Sequence, residues 1–258
     1  MKQLLIDAGN SNIVVSICNS SGWLHHWRLH TVKNKTSDEY EVILRSLFEK
    51  NDVDPQSIGR AVMSSVVPSL THAMEDMVRK LTGRELFVLG PEIYSELPID
   101  VLNPYEIGSD IVASALAAHQ NYDGDLIVVD FGTAITVCGI NAKGKLTGVS
   151  IAPGMKTAVH SLTKSTAQLP DVPLSAPPSV LGLNTVHAIQ SGVVLGYTGM
   201  IEYLVKEYKK SMSSDTKVIA TGGLSYVVEK LTDIFYATDE MLTMEGLKTI
   251  GELYTKSE

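Results

Sequence analysis

Two stretches of the chain share one pattern of apolar and polar positions. In LLIDAGNSNIVVSIC, which begins at residue 4, an apolar run ends in an aspartate, a glycine follows two positions later, and a second apolar run begins. Residues 126–140, LIVVDFGTAITVCGI, repeat this pattern 123 positions further on (130 minus 7, counted between the aspartates). A glycine turn and a third run follow each stretch, which predicts a three-stranded antiparallel meander in each half. Self-similarity over half the chain indicates a duplicated domain.

Helical and strand-like patterns alternate behind each meander. In the first half they predict helices at 37–50 and 68–82 and strands at 61–67 and 85–90. In the second half they predict helices at about 185–211, after Gly222 and Gly223, and around 243–254, with a strand at 217–221. Thr36 or Ser37 caps the first of these helices, and Glu39 lies where a capping box needs an acid. This alternation indicates an α/β fold in which each half has a mixed sheet flanked by helices.

Composition and charge narrow the class of partner. The 258 residues carry a net charge of −8 and contain no run of basic side chains, which argues against nucleic acid or an anionic membrane as the main partner. The two cysteines, Cys18 and Cys138, lie in strand-like runs where small buried side chains are expected. The apolar run before Asp7 is too short for a signal peptide, and no stretch approaches the roughly 20 apolar residues of a membrane span. We therefore expect a cytoplasmic protein.

The aspartates at the two predicted strand ends, Asp7 and Asp130, are candidates for phosphate chemistry. A carboxylate can hold a cation that bridges phosphate oxygens, and the backbone N–H groups of a tight glycine turn bind anions. One such turn is a common hairpin feature, but two copies with matching flanks predict a pair of phosphate-binding turns that face each other across a cleft. Gly222 and Gly223, between a strand and a helix, would let a nucleotide's base or ribose approach the backbone closely. The Walker and dinucleotide-binding glycine motifs are absent.

Ten segments along the chain occur in the order typical of one protein family. They are LLIDAGNSNI, WRLHT, KTSDEY, SSVVP, NPYEIGSD, VVDFGTAIT, IAPGM, TAQLP, LGLNTVHAIQSG and TGG. Through these segments the chain resembles, over nearly its whole length, the type III pantothenate kinases, a group that includes the Bvg accessory factor proteins and belongs to the acetate kinase/hexokinase/Hsp70/actin superfamily. The resemblance implies two RNase H-like domains of the actin-like ATPase type, residues 1–120 and 121–258, with the active cleft between them and a homodimer as the assembly.

The resemblance also implies a reaction, the ATP-dependent phosphorylation of pantothenate to 4′-phosphopantothenate, which is the first step of coenzyme A biosynthesis. The cofactors would be Mg²⁺ and a monovalent cation, K⁺ or NH₄⁺, held by Asp7 and Asp130 respectively. Together with the glycine turns, the resemblance assigns the binding of ATP and its phosphates to Asp7, Ala8, Gly9, Asn10, Ser11, Asn12, Ile13, Val14, Gly132, Thr133, Gly222 and Gly223. The residues that would bind pantothenate are Val101, Gly108, Ser109, Asp110, Ile111 and Thr185. Asp110 would be the general base, although without the resemblance it reads as the N-cap of the helix that follows.

Three positions depart from the family pattern. Ile111 stands where arginine is usual, Val101 where tyrosine is usual and Val149 where glycine is usual. Because arginine suits a bidentate grip on the carboxylate of pantothenate, its loss would remove a charge-assisted hydrogen bond, about 1.5–3 kcal/mol. Lys156 or Lys164 could replace it. Two alternatives therefore stay open: a nucleotide-binding transcriptional accessory protein without pantothenate turnover, and a kinase of the same fold that phosphorylates another hydroxyl compound.

Overall fold

The computed structural model describes residues 1–165 and 172–254, and the chain divides into two units. The first comprises Met1–Ala117 and the described residues from Thr243 onward, and the second comprises Ala118–Leu242. Each unit contains one five-stranded mixed sheet flanked by helices, which confirms the predicted fold class. The segment TAQLP, residues 166–170, lies outside the described residues.

The first sheet begins with the predicted meander. Its strands are β1 (Lys2–Ala8), β2 (Asn12–Asn19), β3 (Gly22–His30), β4 (Ile58–Ser65) and β5 (Leu86–Val88), in the order β3-β2-β1-β4-β5. β1, β2 and β3 pair antiparallel, β4 runs parallel to β1, and β5 runs parallel to β4. The register places Asp7 opposite Ser64. β4 ends two residues before the predicted 67, because the chain there leads into a helix that begins at Pro68.

Helices α1 (Ser37–Lys50) and α2 (Pro68–Thr82) have the bounds that the sequence pattern predicts. α1 opens with a capping box, in which the Thr36 hydroxyl accepts the Glu39 N–H and the Glu39 carboxylate accepts the Thr36 N–H at 2.8 Å. α2 begins with a proline and ends before Gly83, whose φ is 70°. The buried faces of both helices pack with alternate residues of β1 in one hydrophobic core.

The second sheet repeats the arrangement of the first. Its strands are β6 (Leu126–Phe131), β7 (Ala134–Ile140), β8 (Leu146–Pro153), β9 (Lys217–Thr221) and β10 (Ala237–Thr238), in the order β10-β9-β6-β7-β8. β6, β7 and β8 form the second antiparallel meander, whereas β9 runs parallel to β6 and β10 parallel to β9. β6 and β9 therefore correspond to β1 and β4, as expected of a duplicated domain.

The described residues contain six further α-helices. They are α3 (Ser109–Asn121), α4 (Met155–Lys164), α5 (Thr185–Gln190), α6 (Gly196–Ser211), α7 (Ser225–Val228) and α8 (Leu242–Leu253). A π-helical turn, Ser191–Leu195, joins α5 to α6, so the helix predicted at 185–211 contains one wider turn. The sequence pattern did not predict α4, which follows Gly154 directly.

The last helix, α8, packs in the first unit although it lies at the end of the second half of the sequence. Two glycines make this packing possible. Gly246 lies against the backbone of Ala113 on α3, and Gly251 lies against Gln3 and Val62 of the first sheet. A Cβ at position 246 would overlap the Ala113 backbone, so only glycine fits there, whereas a Cβ at position 251 would displace the end of the Gln3 side chain and crowd Val62. The sequence pattern predicts this helix but not the unit that it joins.

Candidate active site

The first glycine turn, residues 9–12, connects β1 to β2 directly after Asp7. The Gly9 N–H donates to the Asn12 carbonyl at 2.9 Å. Thr31, which follows β3, makes two hydrogen bonds to the turn. Its hydroxyl donates to the Gly9 carbonyl at 2.7 Å, and its N–H donates to the Ser11 carbonyl at 3.0 Å. The turn is therefore braced at both ends. Thr31 was not predicted as a site residue, although it closes the quoted segment WRLHT.

Several residues assigned to this turn contribute backbone rather than side chain. Ala8 and Ile13 pair across β1 and β2, and both side chains are buried in the hydrophobic core. Val14 lies opposite Asp7 on β2, and Asn10 is exposed at the tip of the turn. Asp7, Asn10, Ser11 and Asn12 are at least partly exposed at this turn, so their polar side chains can be reached from solvent.

The parallel pairing of β1 and β4 brings the predicted substrate loop, residues 108–111, to the strand end that carries Asp7. Ser64 lies opposite Asp7, and its hydroxyl is 3.0 Å from the Ser109 hydroxyl at the start of α3. The carboxyl ends of parallel strands lie at one edge of a sheet. The structure thus places the Asp7 turn and the Asp110 loop at the same edge of the first sheet.

Asp110 lies in the first turn of α3 and is partly buried. Its carboxylate accepts the Ile111 N–H at 2.8 Å, so it fills the local role of a helix-start acid as well. Gly108 leaves room for this carboxylate, because a Cβ there would overlap the Asp110 carboxylate in its present position. Burial raises the pKa of Asp110 above its ordinary value, and the backbone hydrogen bonds oppose this shift only in part.

Tyr94 is a further residue near Asp110 that the sequence pattern did not indicate. It lies in a 3₁₀-helical turn, Pro91–Glu96, and is almost fully buried. Burial, and next the negative charge of Asp110, raise the pKa of Tyr94 to about 12. The phenol therefore stays protonated and can donate a hydrogen bond at neutral pH.

The second strand end places Asp130 against Gly222. Asp130 lies opposite Thr221 in the parallel pairing of β6 and β9, and Gly222 follows directly. Gly222 has a φ of 86°, and a Cβ at this position would overlap the Asp130 carboxylate and lie 2.7 Å from the Phe131 nitrogen. Glycine is therefore needed both for the backbone conformation and for the contact with Asp130. Gly223 is exposed next to it.

The turn after Asp130 is held by the start of α4. The Gly132 N–H donates to the Ala134 carbonyl at 3.0 Å. The Thr133 carbonyl accepts the Gly154 N–H at 2.9 Å and the Thr157 hydroxyl at 2.8 Å. The N-terminus of α4 consequently lies on the turn, and helix N-termini favour anions. Gly154 and Thr157 were not predicted as site residues, although Gly154 belongs to the quoted segment IAPGM.

Three further assigned residues, Val101, Ile111 and Thr185, differ in their exposure. Val101 is partly buried in the segment before α3, and Ile111 is partly buried in the first turn of that helix. Thr185 is exposed at the first position of α5, beside a groove of about 570 Å³ that is lined mostly by apolar residues such as Leu183 and Ile189.

Lys156 and Lys164, the candidates to replace the missing arginine, are exposed on α4.

The strand-end carboxylates fit the way in which Mg²⁺ is held in phosphoryl-transfer sites. Within residues 1–165 and 172–254, no group of three or more His, Cys, Asp or Glu side chains is arranged to hold a metal ion. Mg²⁺ is usually bound by one or two carboxylates, by waters and by the phosphates of the substrate, rather than by a protein cage. Asp7 and Asp130 each offer one carboxylate beside a glycine turn, which suits a cation brought together with a nucleotide. In the same part of the chain, no helix has both the length and the apolar character needed to cross a membrane.

Two mixed sheets with corresponding topology, each with an acid and a glycine turn at the end of its first strand, define the class of actin-like ATPase folds. Solved structures share this fold: MreB 5 of Spiroplasma citri bound to AMPPNP has a TM-score of 0.57 at 10% identity, over 99% of this chain and 97% of that one. A conserved putative Baf family transcriptional activator from Campylobacter jejuni has a TM-score of 0.56 at 23% identity, over 98% and 99% of the two chains.

The sequence comparisons identify the family within this class. The sequence model of type III pantothenate kinase matches residues 3–207. A protein named type III pantothenate kinase from Exiguobacterium sp. (strain ATCC BAA-1283 / AT1b) is 39% identical over 249 residues, which cover 96% of this chain and 98% of that protein. The chain belongs to the type III pantothenate kinase family, and the resemblance stated from its sequence segments is confirmed.

Proposed function

We propose that this chain catalyses the ATP-dependent phosphorylation of pantothenate to 4′-phosphopantothenate, the first step of coenzyme A biosynthesis. Membership of the type III pantothenate kinase family supports both the reaction and the acceptor. The structural observation that carries the proposal is the parallel pairing of β1 and β4, which brings the Asp7 turn and the Asp110 loop to one sheet edge. A turn suited to phosphate thus shares its unit with a partly buried carboxylate suited to accept a proton.

Asp110 acts as the general base in this proposal. Phosphoryl transfer passes through a loose transition state, so catalysis depends chiefly on positioning and on neutralising charge. The Asp110 carboxylate orients the pantothenate hydroxyl and takes its proton while the oxygen bonds to the γ-phosphorus and ADP leaves. The raised pKa of Asp110 strengthens the carboxylate as a proton acceptor.

The two aspartates at the strand ends hold the cations. Asp7 ligates Mg²⁺ and Asp130 ligates a monovalent cation, K⁺ or NH₄⁺. Mg²⁺ neutralises charge on the phosphates of ATP when it is bound. A glycine turn follows each of these carboxylates, and the start of α4, which contacts the second turn, adds a helix N-terminus that favours anions.

A homodimer is part of the proposal. Gly192, Gly196 and Gly199 lie on the exposed side of the π-helical turn and α6, where a Cβ would meet nothing within 4 Å. Close packing against the described residues therefore does not account for them, and close approach of a second copy does. Light scattering of the protein at several concentrations tests the dimer, and a mass that stays at the monomer value of 27.9 kDa would contradict it.

A kinase of the same fold with another hydroxyl acceptor is the second candidate, because Ile111 supplies an apolar side chain where a carboxylate-binding arginine is usual. Pantothenol, which has an alcohol in place of the carboxylate of pantothenate, separates the two candidates. If a residue other than Ile111 binds the carboxylate, kcat/KM for pantothenate should exceed that for pantothenol by about 10-fold or more, which corresponds to one charge-assisted hydrogen bond. Equal kcat/KM for the two compounds would favour the second candidate.

The decisive experiment measures ATP consumption with and without pantothenate, in Mg²⁺ with K⁺, NH₄⁺ or Na⁺, for the wild type and for Asp110→Asn. The exposed Asp123→Asn provides a control of the same chemistry in a turn outside both strand ends. We expect pantothenate-dependent turnover that falls by about 10²–10⁴ in Asp110→Asn and is unchanged in Asp123→Asn. Absence of pantothenate-dependent turnover in the wild type, with ATP bound, would refute the proposal.

A further inference from the structure

Ser109, one residue before Asp110, ties the start of α3 to the end of β4. Its hydroxyl oxygen accepts the Ser65 N–H at 3.1 Å, lies 3.0 Å from the Ser64 hydroxyl, and is 3.3 Å from the Ser65 carbonyl, to which it donates. A serine hydroxyl offers one donor and two acceptor positions. These three contacts use all of them when Ser64 is the donor in the shared bond, so every hydrogen-bonding position of Ser109 is committed to β4.

The hydroxyl pair is shielded from solvent. Ser64 is 0% exposed and Ser109 is 6% exposed. Water therefore cannot replace either hydroxyl when the other is removed, and the remaining group loses its partner. The pair also joins the two halves of the candidate site within the first unit, because Ser64 lies opposite Asp7 and Ser109 precedes Asp110.

We propose that Ser109, together with Ser64, is a positioning residue for phosphoryl transfer, which holds the Asp110 carboxylate at the strand end that carries the Asp7 turn. This inference rests on the proposed function, in which Asp110 is the general base. Misplacement of a reacting group by about 1 Å can cost about 10²-fold in rate. A loop released from β4 therefore lowers kcat through Asp110, while the Asp7 turn, which is braced separately by Thr31, still binds ATP.

Ser114 provides a matched control on the same helix. It is 4% exposed, and its hydroxyl is 2.8 Å from that of Thr243, so it resembles Ser109 in burial and in the length of its side-chain hydrogen bond. It lies more than one helical turn beyond Asp110. Ser114→Ala thus reports what the loss of a buried serine hydrogen bond in α3 does to the protein without release of the Asp110 loop.

The test compares kcat and the KM values for ATP and pantothenate in the wild type, Ser109→Ala, Ser64→Ala and Ser114→Ala, with active sites counted by ATP binding. We expect kcat per bound ATP to fall about 10- to 100-fold in Ser109→Ala, with the KM for ATP within about twofold of wild type. Ser64→Ala, which approaches the same contact from β4, should lower kcat in the same way but less, and Ser114→Ala should leave it unchanged.

The double variant of Ser109→Ala with Asp110→Asn distinguishes positioning from general support of the fold. A residue that acts through Asp110 adds little once Asp110 is removed, so the double variant should match Asp110→Asn within about twofold. A kcat in Ser109→Ala equal to that of Ser114→Ala, or losses that multiply in the double variant, would overturn the inference alone. A wild-type protein that binds ATP but does not turn over pantothenate would overturn the proposed function, and this inference with it.

Discussion

Replacing Gly222 by alanine separates backbone strain from the loss of room beside Asp130. Gly222 has a φ of 86°, a conformation that costs an L-residue about 1–2 kcal/mol. A Cβ there would also overlap the Asp130 carboxylate and approach the Phe131 nitrogen to 2.7 Å. Overpacking of this kind costs about 1–3 kcal/mol. The unfolding free energy of Gly222→Ala should therefore fall by about 2–5 kcal/mol.

Gly124 supplies the matched control in the same unit. Its φ is 92°, close to that of Gly222, but a Cβ at this position would meet nothing within 4 Å. Gly124→Ala should therefore show the strain alone, about 1–2 kcal/mol. Denaturant unfolding of both variants measures the two losses, and the excess in Gly222→Ala, about 1–3 kcal/mol, isolates the crowding at the end of β6.

The same pair of variants tests the proposed cation site. If Asp130 ligates the monovalent cation, Gly222→Ala, which displaces its carboxylate, should raise the K⁺ concentration for half-maximal turnover about tenfold. A tenfold loss of affinity corresponds to about 1.4 kcal/mol, which lies within the crowding loss of about 1–3 kcal/mol. Gly124→Ala should leave this concentration unchanged. Equal unfolding free energies in the two variants, together with an unaltered K⁺ dependence in Gly222→Ala, would refute the reasoning.

Three further outcomes follow from the contacts of individual residues. Thr31→Val should lower the unfolding free energy by about 0.5–1.5 kcal/mol and raise the KM for ATP, because the Gly9 carbonyl loses its hydrogen bond. Thr31→Ser, which keeps the hydroxyl, should resemble wild type. An unchanged KM in Thr31→Val would contradict the role of Thr31 in holding the turn. Burial raises the pKa of Asp110 above its ordinary value. Because the protonated carboxyl cannot accept a proton, kcat should fall as the pH decreases, and the fall should begin at a higher pH than an ordinary aspartate would give. A raised pKa also means that the folded state of the wild type loses stability as the pH rises through that pKa, because the buried carboxyl must ionise. Asp110→Asn does not ionise, so its unfolding free energy in urea should increase relative to that of the wild type as the pH rises. Unfolding free energies that change with pH in parallel for the two proteins would contradict this. Thr36→Ala should lower thermal stability by about 1 kcal/mol through loss of the capping box and leave kcat unchanged.

The sequence was most informative where structure depends on neighbouring residues. The bounds of α1 and α2 follow from Thr36, Pro68 and Gly83, which act on backbone groups within one helical turn. Both meanders follow from apolar runs separated by glycine turns, and the two acids that end them are visible as a repeat. Where local signals compete, the pattern is less reliable. The strand predicted at 61–67 begins three residues earlier and ends two residues earlier, and α4 was not predicted at all.

Within the site, the sequence indicated the acids and glycines but not their supports. Thr31, Tyr94, Gly154 and Thr157 carry no motif of their own, and each acts through hydrogen bonds or charge interactions with residues far away in the chain. Thr31 and Gly154 lie in segments that are typical of the family. The order of these segments identifies the family but does not reveal the contacts that the two residues make.

Sequence alone therefore determined the fold class, the duplication, the family and the two acids at the strand ends, since periodicity, capping and motif order are local properties of the chain. Tertiary structure alone decided which residues meet. Ser64 and Ser109 are 45 residues apart and come together because β4 runs parallel to β1 and α3 returns to the end of β4. The same holds for α8, which joins the first unit because Gly246 and Gly251 leave room against α3 and the first sheet. Such contacts depend on how whole elements pack, and packing is set by shape complementarity across the core rather than by the residues next in sequence.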